Sequence, residues 1–381
     1  MSTTLTLLNP GKLVLGPDCF DQFILDYLET GHKRLYLLLL DAIEDQLANG
    51  LRKLQGAGVT IQKDYSIKSE PTFSDFEAIL ETARKFDADS VVAIGGGSIL
   101  DTGKLLAAQL RNTQPISEVV GIRNLKERRT YLACLPTTSG TGSEVSPNAI
   151  FIDNGGNKVG VISPFLVPDA AYIDPVLTLS VPASITAATG IDALTHCLEA
   201  YANKNANPVV DLLALKGIEL VAQNLKRACE NGQDLEARTQ LSTASMYGGM
   251  CLGPVNTAAV HALAYPLGTD FHIGHGLSIA LLLPAVMEFT LEAAPERYAN
   301  IAIALGAERR ESAIDTAREG VKLMRKLIAD CGLPTSLKEL NIPETAVGKM
   351  AEDGSKIQRL LKNNLREVTA EDAETIYRAA F

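Results

Sequence analysis

Through the first half of the chain, short apolar runs alternate with segments whose apolar residues recur every three or four positions. Lys33–Leu40 reads as a buried strand and Ala42–Gln55 as a helix. Val59–Tyr65 reads as a strand, and Phe73–Phe86 as a helix with Phe76, Ile79, Leu80 and Ala83 on one face. Ser90–Ile94, Ile99–Leu110 and Thr130–Leu135 continue as strand, helix and strand. This alternation predicts a doubly wound, mostly parallel, Rossmann-like sheet with helices on both faces. Near Asp174-Pro175 the texture changes. Ile185–Ala202, Asp211–Asn231, Leu235–Met250, Ala313–Ala329 and Ala370–Ala380 carry alanine- and leucine-rich helical spacing with few β-branched alternations. We therefore expect an α/β domain over residues 1–180 and an all-α domain over 181–381, sharing a tight cleft, without repeat or flexible linker.

Length agrees, because 381 residues exceed what one core usually holds. The longest apolar runs, such as Leu35–Leu40 and Ile279–Val286, are far shorter than the roughly 20 residues a bilayer requires. The opening Met1-Ser-Thr-Thr-Leu lacks the basic start and apolar stretch of a signal peptide. The expectation is a cytoplasmic protein with no membrane partner. A net charge of -10 argues against nucleic acid and anionic surfaces. Six cysteines without a C-x-x-C pair read as buried reduced thiols rather than a disulfide framework or zinc knuckle.

Candidate chemistry begins with two loops. In Val91-Val-Ala-Ile-Gly95-Gly96-Gly97-Ser98 a strand ends in three glycines where a helix starts. Amides at such a helix start favour a phosphate, and glycine permits close approach. The loop is neither the usual dinucleotide fingerprint, since Leu100 stands at the third glycine, nor a Walker loop. A purely structural turn is the alternative. Pro136-Thr137-Thr138-Ser139-Gly140-Thr141-Gly142-Ser143-Glu144 places hydroxyls and glycines at a second strand's C-terminal end, where ligands bind in open α/β sheets. Asp41 follows the first strand. A carboxylate there either accepts an adenosine ribose, favouring NAD over NADP, or caps the helix at Ala42.

Four of five histidines lie in the helical half. Asp192 and His196 are spaced i, i+4 and share a helix face. His261 sits in an alanine-rich helix and His275 follows a loop. One carboxylate and three imidazoles suit Fe2+ or Zn2+ with a position left for substrate; satisfied core histidines and a simple Asp–His contact are the alternatives.

Together these residues resemble the iron-dependent (group III) alcohol dehydrogenase family. The matching stretches are Gly95–Lys104, Pro136–Glu144, Thr186–His196 and Phe271-His-Ile-Gly-His-Gly276, and the likeness runs from Leu8-Asn-Pro-Gly to the closing Tyr-Arg-Ala-Ala-Phe381. The resemblance implies a dehydroquinate synthase-like architecture and hydride transfer between NAD(H) and an alcohol/aldehyde pair in the cleft. It also implies a homodimer. By position, Asp192, His196, His261 and His275 would hold the metal; Asp41, Gly96, Gly97, Ser98, Asp101, Thr137, Thr138 and Lys158 would face the cofactor. Lys158 otherwise reads as a solvated surface lysine.

One departure stands out. Where the family often shows His-Ala-x-x-His, with the second histidine implicated in proton transfer, this chain reads His261-Ala-Leu-Ala-Tyr265. Tyr265 or His272 is expected to take that role. No lysine or arginine occurs between Arg238 and Arg297, which favours a neutral substrate. Two other readings are a lyase-type relative resembling dehydroquinate synthase, and a cofactor-binding protein with little turnover.

Overall fold

Parallel strands covered on both faces read as near-continuous apolar runs, and the central strands here follow that rule. The computed structural model describes residues 5–381. The opening residues 1–4, on which the reading of no signal peptide rests, lie outside the described residues. The chain divides into two compact units, one of Leu7–Thr138 with Gly142–Leu179, the other including Ser139–Thr141 and Ser180–Phe381.

The α/β unit runs β1 (Lys12–Leu15), α1 (Cys19–Thr30), β2 (Arg34–Leu39), α2 (Glu44–Gly56), β3 (Thr60–Asp64), α3 (Phe73–Lys85), β4 (Ser90–Gly95) and α4 (Gly97–Gln109). A short α5 (Ile116–Val119), β5 (Gly121–Ile122), β6 (Tyr131–Pro136), β7 (Asn148–Ile152), β8 (Lys158–Ile162) and β9 (Ala170–Ile173) follow. Six strands form a wholly parallel sheet in the order β1-β9-β6-β4-β2-β3. Alternate side chains feed two cores. Leu35, Leu37, Leu39, Val92 and Ile94 pack with Phe23 of α1 and Leu47, Leu51 and Leu54 of α2. Tyr36, Leu38, Val91 and Ala93 pack with Phe76 and Ile79 of α3 and Leu105 of α4. A smaller sheet, β5-β8-β7, was not expected from the sequence.

The helical unit comprises α6 (Ala183–Tyr201), α7 (Pro208–Glu230), α8 (Leu235–Leu252), α9 (Ala259–Phe271), α10 (His275–Thr290), α11 (Pro295–Ala304), α12 (Ala313–Asp330), α13 (Val347–Ser355), α14 (Gln358–Leu361) and α15 (Ala370–Ala379). Helix α6 is its axis: from Gly190 to Tyr201 every residue is buried. Glycines set the spacing around it. A Cβ on Gly248 of α8 would fall 3.0 Å from the His196 Cβ, so a larger residue there would push α8 off α6. His275–Ala293 has the length and mean hydropathy of a membrane span, yet 67% of that window is buried within the protein. It is a core helix.

Candidate metal centre and dinucleotide crevice

Three helices of the helical unit bring its ligands together. Asp192 and His196 lie one turn apart on α6. His261 enters from the first turn of α9, and His275 is the first residue of α10. Between the last two, His272 adopts left-handed backbone (φ +54) and closes α9, returning the chain so that α10 starts beside α6. Gly276 completes the approach, because a Cβ there would meet the Ala188 carbonyl oxygen of α6 at 2.5 Å.

The result is a buried convergence on one oxygen. Asp192 Oδ1 lies 3.5 Å from His261 Nε2, 3.6 Å from His275 Nε2 and 3.9 Å from His196 Nδ1. His196 Nε2 faces His261 Nε2 at 3.1 Å. Donor atoms of Asp192, His261 and His275 all fall within 4.8 Å of one another. Ligands about 2.1 Å from a tetrahedral ion stand roughly 3.4 Å apart, close to these separations. Asp192 Oδ1 is fully buried and receives no close hydrogen bond. An unpartnered buried carboxylate oxygen is costly, and a shared cation is what this donor set fits. Burial raises the Asp192 carboxyl, but His196, His275 and His261 outweigh it and hold it well below the usual carboxylate range. Burial depresses His196, opposed by Asp192. At His261 burial pulls down, yet Glu199 and Asp192 raise it to about 9.

Glu199 was not singled out from the sequence. It accepts from the backbone N–H of Ala258 (2.9 Å) and Val260 (2.5 Å) and meets His261 Nδ1 at 2.6 Å. Its position was a readable signal: Asp192, His196 and Glu199 are spaced i, i+4, i+7 on one face.

Tyr265 lies one turn after His261 and accepts a 2.9 Å hydrogen bond from Arg359 of α14. A guanidinium therefore reaches α9 from a segment that the basic-free stretch Arg238–Arg297 did not include. His272 is exposed and forms the left-handed turn that closes α9.

In the α/β unit, β2 leads outward to β3 while β4 leads the other way to β6, so the topology reverses between β2 and β4. Ligands of open α/β sheets bind at such a switch point. Asp41 follows β2 there, exposed and 2.7 Å from Lys68, whose ammonium lowers its carboxyl. Gly95 ends β4, Gly96 caps α4, and Gly97 and Ser98 form its first turn. These glycines differ in purpose. A Cβ on Gly95 would collide with Ile99 at 2.5 Å, whereas one on Gly96 would meet only Thr138, at 3.6 Å. Gly103 holds α4 against β4, its Cβ position 2.6 Å from the Ala93 Cβ, and so does the packing work of the missing third glycine. Thr137 donates its N–H to Gly95, and its hydroxyl is buried without a partner. Thr138 flanks Gly96.

Two residues expected to face the cofactor also have partners within the fold. Asp101 accepts from Ile150 N–H (2.8 Å) and the Ser143 hydroxyl, with Lys104 at 3.5 Å. Lys158 is buried and paired with Glu70, not a solvated surface lysine.

The family profile described as iron-containing alcohol dehydrogenase matches residues 10–175, and that of the Fe-containing alcohol dehydrogenase family, C-terminal, matches 186–381. The chain belongs to the iron-containing alcohol dehydrogenase family. Within that family, long-chain-alcohol dehydrogenase 1 of Geobacillus thermodenitrificans is 36% identical, over 96% of this chain and 94% of that protein. The crystal structure of 1,3-propanediol oxidoreductase superposes with a TM-score of 0.95 at 31% identity, covering 100% of both chains. Sulfoacetaldehyde reductase from Bifidobacterium kashiwanohense, in complex with NAD+, gives 0.89 at 26% identity, covering 100% of this chain and 99% of that one. This alcohol dehydrogenase relative thus has the α/β plus all-helical fold, and its Asp192, His261 and His275 form the metal-site group. The lyase reading gives way to the dehydrogenase one.

Gly276 offers a test of how the site is assembled. Gly276→Ala must move α10 away from the Ala188 carbonyl, carrying His275 with it. We expect at least about a tenfold loss of Zn2+ affinity, of the size seen when a metal site's supporting residues change. Chelator competition measures it. Unchanged affinity would show that His275 does not depend on this approach.

Proposed function

We propose that this protein interconverts small alcohols and aldehydes, using NAD(H) and Fe2+ or Zn2+ held by Asp192, His196, His261 and His275. The observation carrying this reading is the buried Asp192 oxygen surrounded by three imidazoles. When bound, a divalent ion supplies Lewis acidity to a substrate oxygen and the nicotinamide supplies the hydride. The chain's own residues do the rest. Gly96, Gly97 and Ser98 present backbone amides to a pyrophosphate, the Thr137 hydroxyl donates to the cofactor, and Asp41 accepts ribose hydroxyls. Tyr265, steadied by Arg359, holds a proton at its hydroxyl on the His261 side of α9. The basic-free stretch Arg238–Arg297 supports a neutral substrate. Arg359 favours a second reading, an aldehyde carrying a sulfonate or carboxylate, as the name of the sulfoacetaldehyde reductase suggests for that protein. We further propose a homodimer, and a reducing, cytoplasmic location consistent with six free cysteines.

The deciding experiment is anaerobic NADH oxidation by metal-stripped protein over neutral and anionic aldehydes, with Fe2+ and Zn2+ restored separately. Metal-dependent turnover supports the proposal and ranks both the metals and the two substrate classes. Tight NADH binding without turnover on any aldehyde would overturn it.

Asp41 sets a second expectation. Replacing it by serine removes the carboxylate that repels a 2′-phosphate and leaves Lys68 to attract one. The preference for NADH over NADPH, read as the ratio of kcat/KM, should fall at least about tenfold, or 1.4 kcal/mol. An unchanged ratio would make Asp41 a helix-start residue only.

A further inference from the structure

We infer that Glu199 is a positioning residue for the metal site: it fixes the His261 ring with Nδ1 protonated and Nε2 turned to the ion, and adds the second negative charge that suits the site to a divalent cation. The inference rests on the metal reading above and goes beyond it to the group behind the ligand.

Three observations carry it. Glu199 is 3% exposed, so its charge is not screened by water. Its Oε2 lies 2.6 Å from His261 Nδ1, which leaves Nε2 as the face of the ring toward Asp192 (3.5 Å) and His196 (3.1 Å). A carboxylate accepts only, so Nδ1 carries a proton toward Glu199 and Nε2 is the ring atom left to hold a cation. The same carboxylate takes the N–H groups of Ala258 and Val260, which start α9, so backbone and ring are located by one group. Because α6 carries Asp192, His196 and Glu199, a single helix presents two ligands and orients a third. Asp192 and Glu199 together supply two negative charges, and with neutral imidazoles a divalent ion leaves the buried site neutral. Carboxylates behind ligating histidines characteristically raise their basicity and set their orientation.

The test uses the full chain and Zn2+ as probe, by chelator competition, with Co2+ absorption as a second signal. Glu199→Gln retains size and one acceptor but loses the charge. We expect Zn2+ binding to weaken 10- to 100-fold and the Co2+ bands to shift, with the metal-free circular dichroism spectrum unchanged. Wild-type affinity with unchanged Co2+ bands would overturn the inference while leaving the dehydrogenase reading intact. Absence of Zn2+ binding in the wild type would overturn both. Should the variant fail to fold, histidine 15N spectra of Zn2+-loaded wild type decide: Nδ1–H at His261 supports the role, and Nε2–H overturns it.

Discussion

Asp192→Ala is expected to abolish metal-dependent turnover, lowering kcat/KM by at least about a thousandfold, or 4 kcal/mol. Each imidazole of the cluster lies 3.5 to 3.9 Å from the Asp192 oxygen through one of its nitrogens, and Asp192 is the one carboxylate among the four proposed ligands, with Glu199 behind His261. Without it, a divalent ion would sit in a buried pocket of neutral donors, with its charge poorly compensated. The variant should still bind NADH, since Asp41, Gly96 and Thr137 belong to the other unit. A thermal measurement adds a readout independent of substrate. Wild type with Zn2+ at a thousand times its Kd gains about 4 kcal/mol of stability by mass action, and the variant should gain almost none. An equal thermal shift in both proteins would place the ion elsewhere.

Lys104→Met should have the largest effect on the stability of the α/β unit, about 3 kcal/mol. Lys104 has no exposed surface, and its ammonium donates to the Ser143 carbonyl (2.9 Å), the Ser143 hydroxyl (2.8 Å) and the Ser146 hydroxyl (3.4 Å). Asp101 stands 3.5 Å away. Methionine fills the space but leaves these acceptors facing an apolar side chain, and it removes the cation beside a nearly buried carboxylate. The turn Gly142–Ser146, and β7 through the Asp101 bond to Ile150, should open first. Amide exchange at Ser143 and Ile150 should therefore rise before global unfolding. Unfolding at the wild-type urea concentration, with protection unchanged, would sink this account.

The central strands were legible because burial on both faces leaves no polar alternation to misread; β2 and β4 differ from their expected limits by a residue or so. The edges were not. Strand β1 is four residues long with no fully buried position, too little pattern to show in sequence. The β7–β8 hairpin carries a readable turn, Asp153-Asn-Gly-Gly-Asn157, whose aspartate accepts from the Gly155 and Asn157 amides, but its flanking strands are five residues each and lack a clean apolar alternation. At the metal centre the Asp192/His196 pair followed from helical spacing. That His261 and His275 reach the same oxygen depends on the left-handed turn at His272 and on Gly276, and neither is visible in a spacing rule. Asp101 adds a role that its motif does not show: its oxygens bond Ser143 and Ile150 and tie α4 to the loop and strand beside it.

The parallel sheet also imposes an order on biosynthesis. Lys12–Leu15 pairs with Ala170–Ile173, so one of the earliest strands made has for its neighbour the last strand of the sheet. At 5–20 residues per second the ribosome takes on the order of 10 s to supply that partner. During this interval β2, β4 and β6 can associate, while the nascent β1 segment has no edge to join. Completion of the sheet is therefore timed by translation of residue 173, and a pause before that point would prolong exposure of an unpaired strand to aggregation.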